Sequence, residues 1–259
     1  MPIRPIHIPS FRIPQLNAFE IKFFMALLMV LDHLDHIPGL LSTTQAGVFH
    51  VITRCVAVWF AYAAVEGFWH TRNSLLYNLR LLLWALGMAL GNLLYNHMAA
   101  EKGLSIHNNI FLTLAVGVLA LNILSGEHGG KPTTGGKLLR IVMVTALVAL
   151  GFIFTEGGIV LLPFMLITYT FRSRHSTRNL LYLALSIFLF AISYQPYPTA
   201  RETLQMLAFN SDFLFLTVLP FLSLYNGKRG PKTTFTKYFF YLFYPLHLWI
   251  IGAIALMMA

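Results

Sequence analysis

Apolar residues in this chain come in long unbroken blocks, not in the two-residue alternation of a half-buried strand or the single stripe of a soluble helix. Windows long enough, or nearly so, to cross a hydrocarbon core of ~30 Å fall at about 19–41, 47–68, 75–96, 108–124, 138–155, 158–171, 179–195, 212–225 and 238–258. The pattern predicts an all-α, polytopic integral membrane bundle of about nine transmembrane helices, with the windows at 158–171 and 212–225 the shortest. No polar stretch between them is long enough to fold separately, so residues 19–259 read as a single transmembrane domain. Ahead of it, residues 1–18 hold Pro2, Pro5, Pro9, Pro14, Arg4 and Arg12 and lack a small-residue cleavage pattern, which reads as an extended cytoplasmic leader.

A few polar residues interrupt the blocks. The segment 21–36, IKFFMALLMVLDHLDH, carries Lys22 near its start and Asp32, His33, Asp35 and His36 at its end. On a helix Lys22 and His33 lie about 20° apart around the axis and about 16 Å apart along it, with Ala26 and Met29 between them. An ionisable group inside a spanning helix costs roughly 2.5–3.5 kcal/mol on insertion scales, so its default reading is a functional interior site. The plainer alternative is that both ends snorkel to the interfaces. A carboxylate such as Asp32 or Asp35 bonded to one nitrogen of His33 would make the other nitrogen a better base. His33 and His36, one turn apart, could instead be ligands of a metal, although no further ligand cluster stands out.

Arg54 falls inside the second window and cannot lose its charge, so it either snorkels outward or needs a polar cavity or an anionic partner, for which Asp32 is the nearest by chain connectivity. Glu66, His70 and Arg72 mark the end of the same window; they are either a solvated helix end or a contact for an anionic donor. Asn108 and Asn109 open the fourth window, where N-capping competes with a role in a cavity. In the last window, YFFYLFYPLHLWI sets His247 among aromatics just after Pro245, a predicted kink.

Composition supports the membrane assignment. The 259 residues are 57% apolar and only 10% charged, with a mean hydropathy of +0.69. The net charge of +9 would suggest nucleic acid for a soluble protein, but here the cations sit mainly in alternate short loops. Counting from a cytoplasmic N-terminus, one side takes Arg4, Arg12 and Lys22; Arg72 and Arg80; Lys131, Lys137 and Arg140; Arg172, Arg174 and Arg178; and Lys228, Arg229, Lys232 and Lys237. The other side takes only Lys102 and Arg201, the asymmetry expected of a positive inside. Cys55 is the single cysteine, so no intramolecular disulfide forms. The GGK endings within 125–137 lack the spacing of a phosphate loop.

Several stretches, in this order, resemble the TraX family: LLMVLDHLDHI, TRCVAVWFAYAAVEGFWHTRN with YNLRLL, NNIFLTLAVGVLAL, TEGGIVLLPFMLITY and FYLFYPLHL. The resemblance covers almost all of the chain after residue 19. It implies a multi-pass protein of the bacterial inner membrane that acetylates a pilin-like subunit at its N-terminal amine, with acetyl-CoA as acyl donor. The spacing of Lys22 and His33 is also similar to the basic-x10-His pattern of acyltransferase-3 type enzymes, with lysine where that pattern usually has arginine. On this footing His33, Asp32 and Arg54 are the expected catalytic set. Lys22, Arg72 and Glu66 are expected at the donor, and His36, Asn109 and His247 at the acceptor or cavity wall. Lipid and the acceptor are the expected partners, with no nucleic acid. Acetylation of a surface glycan hydroxyl, and a non-enzymatic carrier or assembly factor with an Asp/His proton relay, are the alternatives.

Overall fold

The computed structural model describes residues 15–126 and 133–259; most of the leader and Lys131 lie outside them. Among the described residues eleven α-helices run in the order α1 Ala18–Asp32, α2 Thr43–Thr53, α3 Cys55–His70, α4 Ser74–Ala99, α5 Ile110–Ser125, α6 Thr134–Phe154, α7 Gly158–Thr170, α8 His175–Ser193, α9 Ala200–Phe209, α10 Leu219–Leu224 and α11 Thr234–Met258. Three 3-10 turns lie at Leu34–His36, Ala100–Lys102 and Ser211–Val218, and among the described residues the only β pairing is the isolated bridge Leu16–Tyr225. The chain is an all-α polytopic membrane protein.

Every predicted window contains helix, and the helices differ in length and exposure. Among the described residues five helical stretches are, by length and composition alone, long and apolar enough to cross a membrane: Thr43–His70, Ser74–Lys102, Thr134–Phe154, His175–Ser193 and Thr234–Met258. The pair formed by Ala200–Phe209 and Ser211–Leu224, bent by 52°, would make a sixth. Helices α1, α5 and α7, of 15, 16 and 13 residues, are too short to cross a ~30 Å core at 1.5 Å per residue.

Helices α5 and α7 lie mostly inside the bundle, whereas α1 turns Phe23, Phe24 and Leu27 outward. Helix α5 buries more than half of its circumference, with Phe111, Thr113, Leu114, Val118 and Leu121, and α7 does the same with Val160, Leu161, Leu162, Phe164 and Met165. A helix walled in by other helices need not reach both headgroup layers. Helices α6 and α8 bury only one narrow stripe each, Val144, Val148 and Gly151, and Tyr182, Ser186 and Leu189, and turn residues such as Ile153 and Ile187 outward.

Two windows are also broken where one helix was expected. The first, 19–41, stops as α-helix at Asp32 and tightens through the 3-10 turn Leu34–His36, ahead of Pro38 and of Gly39 at φ 75°. The second divides at Arg54 into α2 and α3. There Thr53 Oγ1 lies 2.8 Å from the Phe49 carbonyl and 3.2 Å from that of His50, and Arg54 Nε donates to the His50 carbonyl at 2.8 Å. Side chains thus occupy carbonyls that the helix ladder would use.

Contacts between distant segments fix which helix ends share a side. The Leu16 amide donates to the Leu224 carbonyl and the Ala18 amide to the Lys228 carbonyl, both at 2.8 Å, which joins the start of α1 to the end of α10. At the opposite end, Lys102 Nζ donates to the Leu256 carbonyl at 2.8 Å. One end of the bundle therefore gathers Lys22, Arg72, Arg80, Arg172 and Lys228 to Lys232, and the other gathers Asp32, Asp35, Glu156 and Asp212.

Candidate functional site

The end of α1 places His33 as its C-cap, buried at 6% exposure. Because the helix stops there, the Met29 carbonyl is open to His33 Nδ1, 2.8 Å away. His247 repeats the arrangement on α11, with Nδ1 3.0 Å from the Phe243 carbonyl. A carbonyl only accepts, so in the neutral rings both Nδ1 atoms carry the proton and both Nε2 atoms carry the lone pair. His247 Nε2 lies 3.3 Å from His33 Nδ1, and the ring centroids are 5.1 Å apart. His36 stands on the other side of His33, with centroids 5.4 Å apart. Chain positions more than two hundred residues apart are thereby brought into one imidazole cluster.

The orienting partner of His33 differs from the expected carboxylate. Asp32 is committed elsewhere: its Oδ1 accepts from Thr53 Oγ1, from Arg54 Nη2 at 3.0 Å, and lies 3.3 Å from His50 Nδ1. The Asp32–Arg54 pair expected from connectivity does form. Arg54 also reaches Asp212 Oδ1 at 2.8 Å through Nη1, so one guanidinium fastens α1, the α2–α3 junction and the Ser211–Val218 turn. His50 adds a contact from Nε2 to Asp35 Oδ2 at 3.1 Å. Arg54 and Asp32 thus hold the framework beside the imidazoles and do not touch the ring of His33.

From the basic end a cavity of about 1010 Å³ runs inward. Its outer part is lined by Arg72, Arg80, Lys228, Arg229, Lys232 and Lys237, with Lys22 on α1, where Nζ lies 5.7 Å from the centroid of Phe240. Trp59, Tyr62, Tyr77, Phe111 and Tyr241 form an aromatic wall, and Met29, Phe243 and Tyr244 line the inner part. Met29 and Phe243 are the residues whose carbonyls hold His33 and His247. The cavity therefore ends at residues that neighbour the imidazoles, while His33 itself and the expected wall residues His36, Asn109 and His247 are not among those lining it. Lys22, Arg72 and Glu66, all expected at a donor, line it, and Glu66 Oε2 lies 3.5 Å from His70 Nε2.

A second polar knot adjoins the inner end. Glu156, in the turn between α6 and α7, accepts from the Asn109 amide at 2.6 Å, from Asn108 Nδ2 at 2.8 Å and from the Tyr244 hydroxyl at 2.9 Å. Asn109 serves chiefly as the N-cap of α5: its Oδ1 accepts from the Leu112 amide, and its Nδ2 donates to the Ala85 carbonyl at 2.9 Å. Among the described residues no three His, Cys, Asp or Glu side chains are grouped so that they could share a metal ion.

Sequence reasoning did not single out His50, Glu156, Asp212 or Tyr244. The available signal was a lone acid between apolar runs, Glu156 before Gly157 and Gly158, and Asp212 in NSDFLF. His50 and Tyr244 gave none, because their partners lie on other helices.

A family model described as TraX protein matches residues 19–255. A probable fimbrial assembly protein FimC, serogroup H1, of Dichelobacter nodosus is 24% identical over 242 residues, which span 90% of this chain and 93% of that protein. No solved structure matches.

Proposed function

From the premise that this chain belongs to the TraX family, we propose that it transfers an acetyl group from acetyl-CoA, taken up in the basic cavity, to an amine of a fimbrial or pilin-type subunit, with His33 as general base. The observation that carries the reading is the cavity itself: cations surround its outer part, and its inner end is lined by Met29 and Phe243, the residues whose carbonyls meet His33 and His247. Its size falls at the upper end of small-molecule sites, ~300–1,000 Å³, so an extended ligand fits. Arg72, Arg80 and Lys228 to Lys232 suit the phosphates of a nucleotide-bearing donor, and the aromatic wall suits its less polar arm. The fimbrial assembly name of the Dichelobacter nodosus relative supports a pilin-type acceptor. The basic end is then the cytoplasmic one, in line with the positive-inside rule.

The chemistry needs little from the chain beyond a placed base. The acceptor nitrogen bonds to the thioester carbonyl carbon and the C–S bond breaks. His33 Nε2 takes the proton from nitrogen and returns it to the departing sulfur. While His33 is protonated, its Nδ1–H faces two acceptors, the Met29 carbonyl and His247 Nε2, which stabilise the imidazolium. Lys22, on the same α1 face one cavity length away, adds positive charge for the donor.

The test is incorporation of labelled acetyl from acetyl-CoA into a pilin-type acceptor by membranes holding the protein. Wild type labels the acceptor and His33→Ala does not, while both insert equally. Equal labelling by the two would remove His33 from the reaction, and no labelling by wild type would remove the acetyltransferase.

A further inference from the structure

Helix α11 carries His247 into the site, yet it contains Pro245 two residues earlier. Proline supplies no N–H and crowds the preceding turn, so the helix ladder alone fixes the direction of the chain poorly at that point. Beyond the proline, α11 is tied to α4: Trp249 Nε1 donates to Asn92 Oδ1 at 3.1 Å, and the Tyr95 hydroxyl donates to the Gly252 carbonyl at 3.0 Å. Gly91 permits this, since the Trp249 indole occupies the space a Cβ would need. Immediately before the proline, the tie is Tyr244.

The Tyr244 hydroxyl donates to Glu156 Oε2 at 2.9 Å and accepts from the Ile110 amide at 3.1 Å, one of the free N–H groups at the start of α5. Glu156 is itself fixed by Asn108 and Asn109, and its backbone carbonyl accepts from Thr113 Oγ1 at 2.6 Å. Tyr244 is 5% exposed, lines the inner end of the cavity, and its ring stands 5.7 Å from that of His247. Both sides of the proline are therefore pinned to a rigid frame, and the imidazole lies between the pins.

We propose that Tyr244, braced by Glu156 and the α5 N-terminus, is the positioning residue that holds His247 against His33 at the inner end of the basic cavity. This rests on the acetyl-transfer reading above, with His33 as base. Tyr244→Phe keeps the ring and removes both bonds made by the hydroxyl; Glu156→Gln keeps an acceptor and removes the charge. Misplacing a reacting group by about 1 Å costs about a hundred-fold in rate.

The experiment measures transfer kinetics, the pH profile of kcat, and the thermal midpoint of the full-length protein in detergent, for wild type, Tyr244→Phe, Glu156→Gln and His33→Ala. In Tyr244→Phe we expect kcat to fall about a hundred-fold, with KM for acetyl-CoA within about two-fold of wild type and a displaced pH profile. Glu156→Gln is expected to lie between that variant and wild type. Wild-type kcat in Tyr244→Phe overturns the proposal, as does a loss of kcat with an unmoved pH profile that tracks a fall in the thermal midpoint. Native activity in His33→Ala would instead overturn the transfer reading, whatever Tyr244→Phe does.

Discussion

The two ends of the bundle handle charge in opposite ways. At the acidic end the ionised groups answer one another: Arg54 spans Asp32 and Asp212, and His50 lies between Asp32 and Asp35. At the basic end, among the described residues, Arg72, Arg80, Lys228 and Arg229 line a void and form no ion pair with the protein. Charges paired inside a fold make a frame, whereas like charges left facing a cavity await an anion from outside. The histidine pair sits where the frame and the cavity meet.

The strongest way to break this contrast is at the meeting point. His33→Ala is expected to lower acetyl transfer by about a thousand-fold, within the range of a lost general base, while membrane insertion is unchanged; labelled acetyl transfer measures it. Next comes the frame. Arg54→Met leaves Asp32 without its cation in a partly buried setting and is expected to cost about 3 kcal/mol of stability, read as a lower thermal midpoint in detergent. Arg54→Lys, which keeps the charge and loses the fork, should recover only part of it.

The basic end should respond differently. The double change Arg72→Gln and Arg80→Gln is expected to raise KM for acetyl-CoA about ten-fold with kcat nearly constant, and the gap to wild type should shrink as salt is added. Steady-state kinetics at low and high ionic strength would show it, and a fall in kcat with KM unchanged would mean these cations do not bind the donor. The smallest effect is expected at Asp212→Asn. Its side chain is 45% exposed, so losing that arm of the Arg54 clamp should cost about 1 kcal/mol or less, again read from the thermal midpoint.

Much of this was legible before any coordinates. Long unbroken apolar blocks with few charges point to helices in lipid, since backbone groups there must be bonded internally and the strands of a closed barrel would alternate apolar with polar. Residue type alone marked His33, Arg54 and His247 as costly inside such blocks, and an arginine that cannot deprotonate demanded an acid nearby, which Asp32 supplies. The alternation of loop charge separated Lys22 and Arg72 from the acidic end.

Tertiary structure decided the rest, because hydropathy reports how a segment partitions and not which segments touch. It enclosed α5 and α7, whose shortness the windows 108–124 and 158–171 already carried, and it broke the second window by spending backbone carbonyls on Thr53 and Arg54. It gave Arg54 a second acid, Asp212, from far along the chain, and gave His33 a carbonyl where a carboxylate was expected. The pairing of His33 with His247, and the brace of Tyr244 on Glu156, join residues on separate helices whose spacing in sequence carries no periodic trace. Local chemistry fixed which side chains needed partners; only the packing of helices chose the partners.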